Sequence, residues 1–158
     1  MDIQISKLID KKIKILKKDL NNIGKNQVKN AIETTMKKSI KESIYDKPSS
    51  YDRTWFFYDS VDSNVTTNND GASISVFTNP EKMNNSHYSV AGSRRYGLNP
   101  NDNVDEYISE WLAYGHGGLW DYSPLHNYIE FTYRLLQTTK THVKATKKAL
   151  KEYGYNVK

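Results

Sequence analysis

The sequence predicts an α+β fold: a small antiparallel sheet packed by a long N-terminal helix and a C-terminal helix. Three observations predict it. Residues 3–45 place apolar side chains at helical steps, a hairpin signal surrounds Asn68-Asn-Asp-Gly71, and helical spacing returns after Pro124. Helices and strands therefore fall in separate runs rather than alternating.

In the first run the apolar positions are Ile5, Leu8, Ile9, Ile13, Leu16, Leu20 and Ile23, then Val28, Ile32, Met36, Ile40 and Ile44. Every step is three or four except the five between Ile23 and Val28, and the lysines fall largely between these positions. Gly24 stands where the step changes, so a kink or a division into two helices is expected there. Pro48 opposes continuation. One apolar face of such length needs cover, either from the sheet or from a neighbouring copy.

Asp46–Thr54 reads as a polar turn, and the aromatic stretch Trp55–Val61 suits a short helix or a strand. Val61–Thr67 alternates loosely, Asp70-Gly71 suits a hairpin turn, and Ala72, Ile74 and Val76 share one strand face. Residues 82–103 form a loop of unusual length, which suits an interaction arm. Val104, Tyr107, Ile108, Trp111 and Leu112 share a helical face that Gly115 ends. The dense segment Tyr107–Pro124 then joins this helix to a last one, residues 125–153, with Leu125, Tyr128, Ile129, Leu135, Leu136, Val143, Ala149 and Leu150 facing inward and Gly154 as its stop. The heavy aromatics and bent glycines make that segment a packed corner. A chain of 158 residues fits one domain, 1–158, in three stretches: helix 1–45, hairpin and loop 46–103, and helix, corner and C-terminal helix 104–153.

Composition narrows the function classes. No run approaches a membrane span, the first residues lack signal-peptide order, and the absence of cysteine excludes a disulfide framework and thiolate chemistry. A cytoplasmic working place without membrane contact fits. The net charge of +5 is unevenly spread. Residues 1–46 hold eleven lysines against six acids, residues 47–131 five bases against eleven acids, and residues 132–158 seven bases against one acid. Basic ends and an acidic middle suit an anionic partner or head-to-tail contact between copies. The same pattern also suits solvated lysine-rich helix faces.

Catalytic patterns are weak. His87, His116, His126 and His142 show no zinc-helix spacing, no Gly-x-Ser-x-Gly occurs, and Gly115-His-Gly-Gly118 lacks the Lys-Ser/Thr of a phosphate loop. A hydrolase built on His116 with Asp121 or Glu110, or a metal site adding His126, is conceivable, but a loop histidine bonded to backbone explains the pattern more simply. No enzyme, cofactor or metal is expected. Lys140, Lys144, Lys147, Lys148 and Lys151 cover one broad helix face and can track phosphates without reading bases. Gly92-Ser-Arg-Arg-Tyr-Gly97 joins basic and aromatic residues as nucleic-acid loops do. Non-sequence-specific nucleic-acid binding is thus an alternative.

The motif order is similar to one family. Tyr51-Asp-Arg-Thr54 after the lysine-rich helix, then Asp59-Ser-Val61, resembles the Tyr-x-Arg-Thr-Gly-x-Leu-x-x-Ser-Ile pattern of phage head–tail joining or tail-completion proteins. Tyr51, Arg53, Thr54, Ser60 and Val61 match in type, while Trp55 and Phe57 replace the Gly and Leu. Tyr107–His116 resembles the family's aromatic-acidic-glycine segment, and Ser123-Pro-Leu125 its entry to the C-terminal helix. The resemblance implies a non-enzymatic virion protein in a ring of copies at the neck or tail end, assembled in the host cytoplasm beside connector or tail proteins. Under it, Arg53, Trp55, Arg94, Arg95, Trp120 and Tyr122 are expected contact residues. Lys140, Lys144, Lys147, Lys148 and Lys151 are expected to face a channel or packaged DNA.

Overall fold

The computed structural model describes residues 2–46, 55–68, 71–83 and 127–158. Its fold is α+β. A long helical column occupies the N-terminal end, comprising α1 (Asp2–Ile23), a π-helical turn (Gly24–Val28), α2 (Lys29–Ile40) and a second π-turn (Lys41–Tyr45). After the short helix α3 (Phe56–Asp59) come strands β1 (Val61–Asn68) and β2 (Gly71–Thr78), then a 3₁₀ turn, Pro80–Lys82. Two helices, α4 (Tyr128–Thr139) and α5 (Thr141–Glu152), close the chain.

At Gly24, where a kink or a division was expected, a π-turn separates two α-helices. The column continues through it with helical backbone angles on both sides. A turn bonded i→i+5 absorbs one residue more than an α-turn. The five-residue step from Ile23 to Val28 therefore keeps the column unbroken. Gly24 has a packing duty too: a Cβ on it would stand 2.5 Å from the Ala72 Cβ. The hairpin presses against the column at that point, and only glycine admits the approach.

The hairpin has the predicted elements: Val61 pairs with Thr78 and Asn68 with Gly71, so the pairing closes on the two ends of the Asn68–Gly71 turn signal. Asn68 Oδ1 accepts from the Gly71 N–H at 2.9 Å, and Asn21 Nδ2 donates to the Asn68 carbonyl at 3.2 Å, fastening the tip to α1. On β2 the exposed Ser73 and Ser75 alternate with the half-buried Ala72, Ile74 and Val76, as the period-2 pattern requires.

The C-terminal segment departs most from expectation. It is not one helix over 125–153 but two. Asn127 is non-helical and caps α4, its Oδ1 accepting from the Glu130 N–H at 2.9 Å. Lys140 breaks the run with φ +52° and ψ +36°, a left-handed conformation unusual for a side-chain-bearing residue. The turn separates the apolar face of α4 from that of α5. Ile129 and Val143, expected inside, are 44% and 38% exposed. Gly154 does stop α5: at φ +86° its N–H reaches the Lys151 carbonyl, and the Tyr155 N–H reaches Leu150, a Schellman end. The Tyr155 hydroxyl then donates to Asp19 Oδ2 at 2.7 Å, tying the C-terminus to α1.

The core lies where the lower half of the column meets α3, the hairpin and the start of α4. Met36, Ile40, Ile44, Phe57, Val61, Met83 and Tyr128 form one buried cluster. Tyr128 is fully enclosed and meets Phe57 edge-on, with ring centroids 5.3 Å apart. Beside it, Ser39 Oγ and Thr132 Oγ1 both donate to the Tyr128 carbonyl, at 2.7 and 2.6 Å. The expected helix over 104–114 and the corner over 107–124 fall outside the described residues, as does most of the loop 82–103.

Candidate interaction surfaces

Four surfaces could carry function. The first was expected. Lys140, Lys144, Lys147, Lys148 and Lys151 are all exposed along α5 and its entry. Steps of four and three bring Lys140, Lys144, Lys148 and Lys151 to one side, with Lys147 beside them. The opposite side, with Ala145 half-buried and Ala149 buried, packs against the column. The small residues there let the helices approach closely, which turns the lysines outward.

The second surface lay hidden in sequence. Lys14, Lys17, Lys18 and Lys25 line a cleft of about 360 Å³ with Asn21, Asn22, Thr67 and Asn68, at the crossing of α1 and the hairpin tip. Individually these lysines read as the polar side of an amphipathic helix. The signal that could have found the cleft was the Asn21-Asn22 pair, whose short amides suit a contact with another chain segment.

The third is the N-terminal half of α1. Ile5, Leu8, Ile9, Ile13 and Ile15 are 46–57% exposed, whereas Leu16 and Leu20 are half-buried and Ile23 is enclosed. The sheet therefore covers only the lower part of the stripe. A contiguous run of large uncovered aliphatics is uncommon on a monomeric surface. The apolar period was legible in sequence, but not where its cover ends, since that depends on the reach of the hairpin and α5.

The fourth is an open apolar trough of about 480 Å³ between β2 and α4, floored by α2. Val76, Phe77, Ile129, Tyr133, Ile32 and Leu136 line it, with Tyr133 62% exposed. The period-based reading turned Ile129 inward and thus missed this surface.

Of the expected contact residues, Trp55 alone is described. It is half exposed and stacks on Tyr45, with centroids 4.4 Å apart and planes 8° apart, while Tyr58 meets it edge-on at 5.5 Å. Lys37 Nζ sits 5.1 Å from the Tyr58 ring centroid. This aromatic trio closes the lower end of the column. Arg53, Arg94, Arg95, Trp120 and Tyr122 lie outside the described residues, as do His87, His116, His126, Asp121 and Glu110.

Among the described residues, two titratable groups are shifted. The Lys82 ammonium at 2.8 Å, the Asn79 amide and the Ser63 N–H hold the Asp62 carboxyl down at about 2. The Asp19 carboxylate, as acceptor, pushes the Tyr155 hydroxyl up. Both groups are structural ties. Also among the described residues, no three His, Asp or Glu side chains are grouped as metal ligands would be, and no helix is long and apolar enough to cross a membrane.

A family model described as YomN matches residues 7–152, nearly the whole chain. No curated protein and no solved structure matches it.

Proposed function

The chain belongs to the YomN family, a phage-derived family of the SPbeta-like prophage type, and from that premise we propose a non-enzymatic structural role in the virion. In this reading the protein assembles as a ring of copies at the head–tail connector or tail end, beside other neck or tail proteins. The observation that carries it is the uncovered aliphatic row Ile5, Leu8, Ile9 and Ile13 on an extended helix. A catalytic protein gains little from exposing such a row, whereas an assembly subunit needs it. The resemblance of Tyr51–Val61 to phage joining and completion proteins supports the same reading. The test is to purify complete particles of the encoding phage and quantify the protein by mass spectrometry, with negative-stain microscopy of the isolated protein. Several copies per particle and closed rings are expected. Complete particles that lack the protein would overturn the role.

A second reading, non-sequence-specific binding of nucleic acid, draws on the outward lysines of α5 and the lysine-lined cleft at the hairpin tip. It predicts that the isolated protein binds short duplex DNA with a steep salt dependence. Reversing Lys144 and Lys148 to Glu should reduce that slope by about 2. Absence of binding at low salt would remove this reading.

A further inference from the structure

The two basic surfaces face opposite ways. Asp19 and Asn21 stand two residues apart on α1, about 200° around the helix axis. Asp19 accepts from the Tyr155 hydroxyl just beyond α5, whereas Asn21 donates to the Asn68 carbonyl at the hairpin tip. The α5 lysines therefore face out on one flank of the column, and the lysine-lined cleft opens on the other. A short duplex is stiff, with a persistence length of about 150 base pairs, and cannot lie against both at once.

The cleft is built from donors. Lys14, Lys18 and Lys25 line it, and their ammonium groups form no ion pair among the described residues. The Thr67 hydroxyl and the Asn22 amide add neutral donors to its walls. Among the described residues no acidic side chain lines it: Asp2 and Asp10 lie toward the start of α1, and Asp19 is turned to Tyr155. Such a set suits an anion. From Lys14 to Lys25 the stripe runs roughly 16 Å at 1.5 Å per residue. A lone phosphate cannot meet both ends of it, whereas a nucleic-acid strand, with one charge for roughly every 3.4 Å of rise, can. No aromatic ring lines the cleft to stack a base, so the contact is with sugar and phosphate. We infer that the cleft between α1 and the hairpin tip seats the phosphate backbone of a nucleic acid, as a site separate from the α5 face. The inference deepens the nucleic-acid reading and rests on it.

Charge-removing substitutions test the site. Lys14→Gln, Lys18→Gln and Lys25→Gln are combined in a cleft variant, and Lys144→Gln, Lys148→Gln and Lys151→Gln in an α5 variant. All these positions are exposed, so folding should be retained. In sedimentation velocity at low salt, with short duplex DNA in excess, the parent should bind two duplexes per protomer. Each variant should bind one, and the combination of both sets none. The sequence has no cysteine, so Thr67→Cys places a single fluorescent label on the exposed hairpin wall of the cleft. The label should respond to duplex in the otherwise unchanged chain and in the α5 variant, and stay silent in the cleft variant. A cleft variant that still binds two duplexes would overturn the inference and leave the nucleic-acid reading standing, as would a silent label on a chain that binds duplex. A parent that binds no duplex would remove both. A label that responds to inorganic polyphosphate but not to duplex would overturn the nucleic-acid assignment. Displacement of the duplex from the cleft by orthophosphate at constant ionic strength would reduce the site to a single-phosphate seat and overturn the backbone contact.

Discussion

Replacing Gly24 by alanine sets two effects of opposite sign against each other. Within a helical column alanine is favoured over glycine by about 1 kcal/mol, because glycine loses more backbone freedom on folding. The new Cβ, however, would stand 2.5 Å from the Ala72 Cβ. That is about 1 Å inside ordinary carbon–carbon contact. Ala72 has no rotamer by which to withdraw, so the hairpin or the column must move. Overpacking of this kind costs roughly 1–3 kcal/mol, and a displacement of this size belongs in the upper part of that range. The expected net loss is about 1–2 kcal/mol, or roughly 2–8 °C in Tm for a chain of this length. Differential scanning calorimetry of Gly24→Ala reads the sign directly. Adding Ala72→Gly removes the offending carbon and should return stability to within about 1 kcal/mol of the parent. A single variant that melts at or above the parent temperature would refute the close-contact account and restore glycine as a mere interruption.

Three further outcomes follow from the same structure. Tyr128→Ala should cost about 3–5 kcal/mol in chemical denaturation, because it empties an enclosed ring site against Phe57 while the Tyr128 carbonyl keeps its two hydroxyl donors. A loss below about 1 kcal/mol would mean the core closes without that ring. Asp62 is charged in the folded state well below its ordinary 3.8, so its contribution is present above about pH 4 and is lost as pH falls toward 2. The pair with Lys82 is partly solvated, which limits the effect to about 1 kcal/mol, and Asp62→Asn should flatten the acid-unfolding curve between pH 4 and 2. Unchanged acid curves would remove the Lys82 tie from the account. Lys140→Gly should raise stability by about 0.5–1 kcal/mol, since a left-handed lysine is relieved at a smaller entropic cost. Thermal melts showing a loss would indicate that the Lys140 side chain itself holds the α4–α5 turn.

How much of this was legible in sequence varies by element. The column was plain, because Val28, Ile32, Met36, Ile40 and Ile44 obey a helical step that local geometry enforces. The five-residue step was visible as well, yet its resolution as a π-turn depends on Ala72 arriving at Gly24, a contact 48 positions away. The hairpin followed from turn chemistry, but its register was fixed by Val61 opposite Thr78, which residue preference at Asp70-Gly71 does not encode. The break at Lys140 was illegible because lysine carries no preference for a left-handed angle. It was also costly, since Val143, in the helix beyond the break, was assigned to the wrong side as a result. Of the candidate surfaces, the basic face of α5 was readable from spacing alone. The trough was not, because it exists only where three elements distant in sequence leave space between them.

The π-turn at Gly24–Val28 also has a geometric consequence for how the two halves of the column face each other. One residue of α-helix corresponds to about 100° of rotation and 1.5 Å of rise. The extra residue in that turn therefore sets the compass bearing of the projecting N-terminal arm relative to the body below it. Deleting Asn26 would turn Ile9 by about 100° around the helix axis, and with it Asp19 and Asn21, taking them off Tyr155 and Asn68. A single codon thus sets whether the hairpin tip and the C-terminus can both reach the same helix.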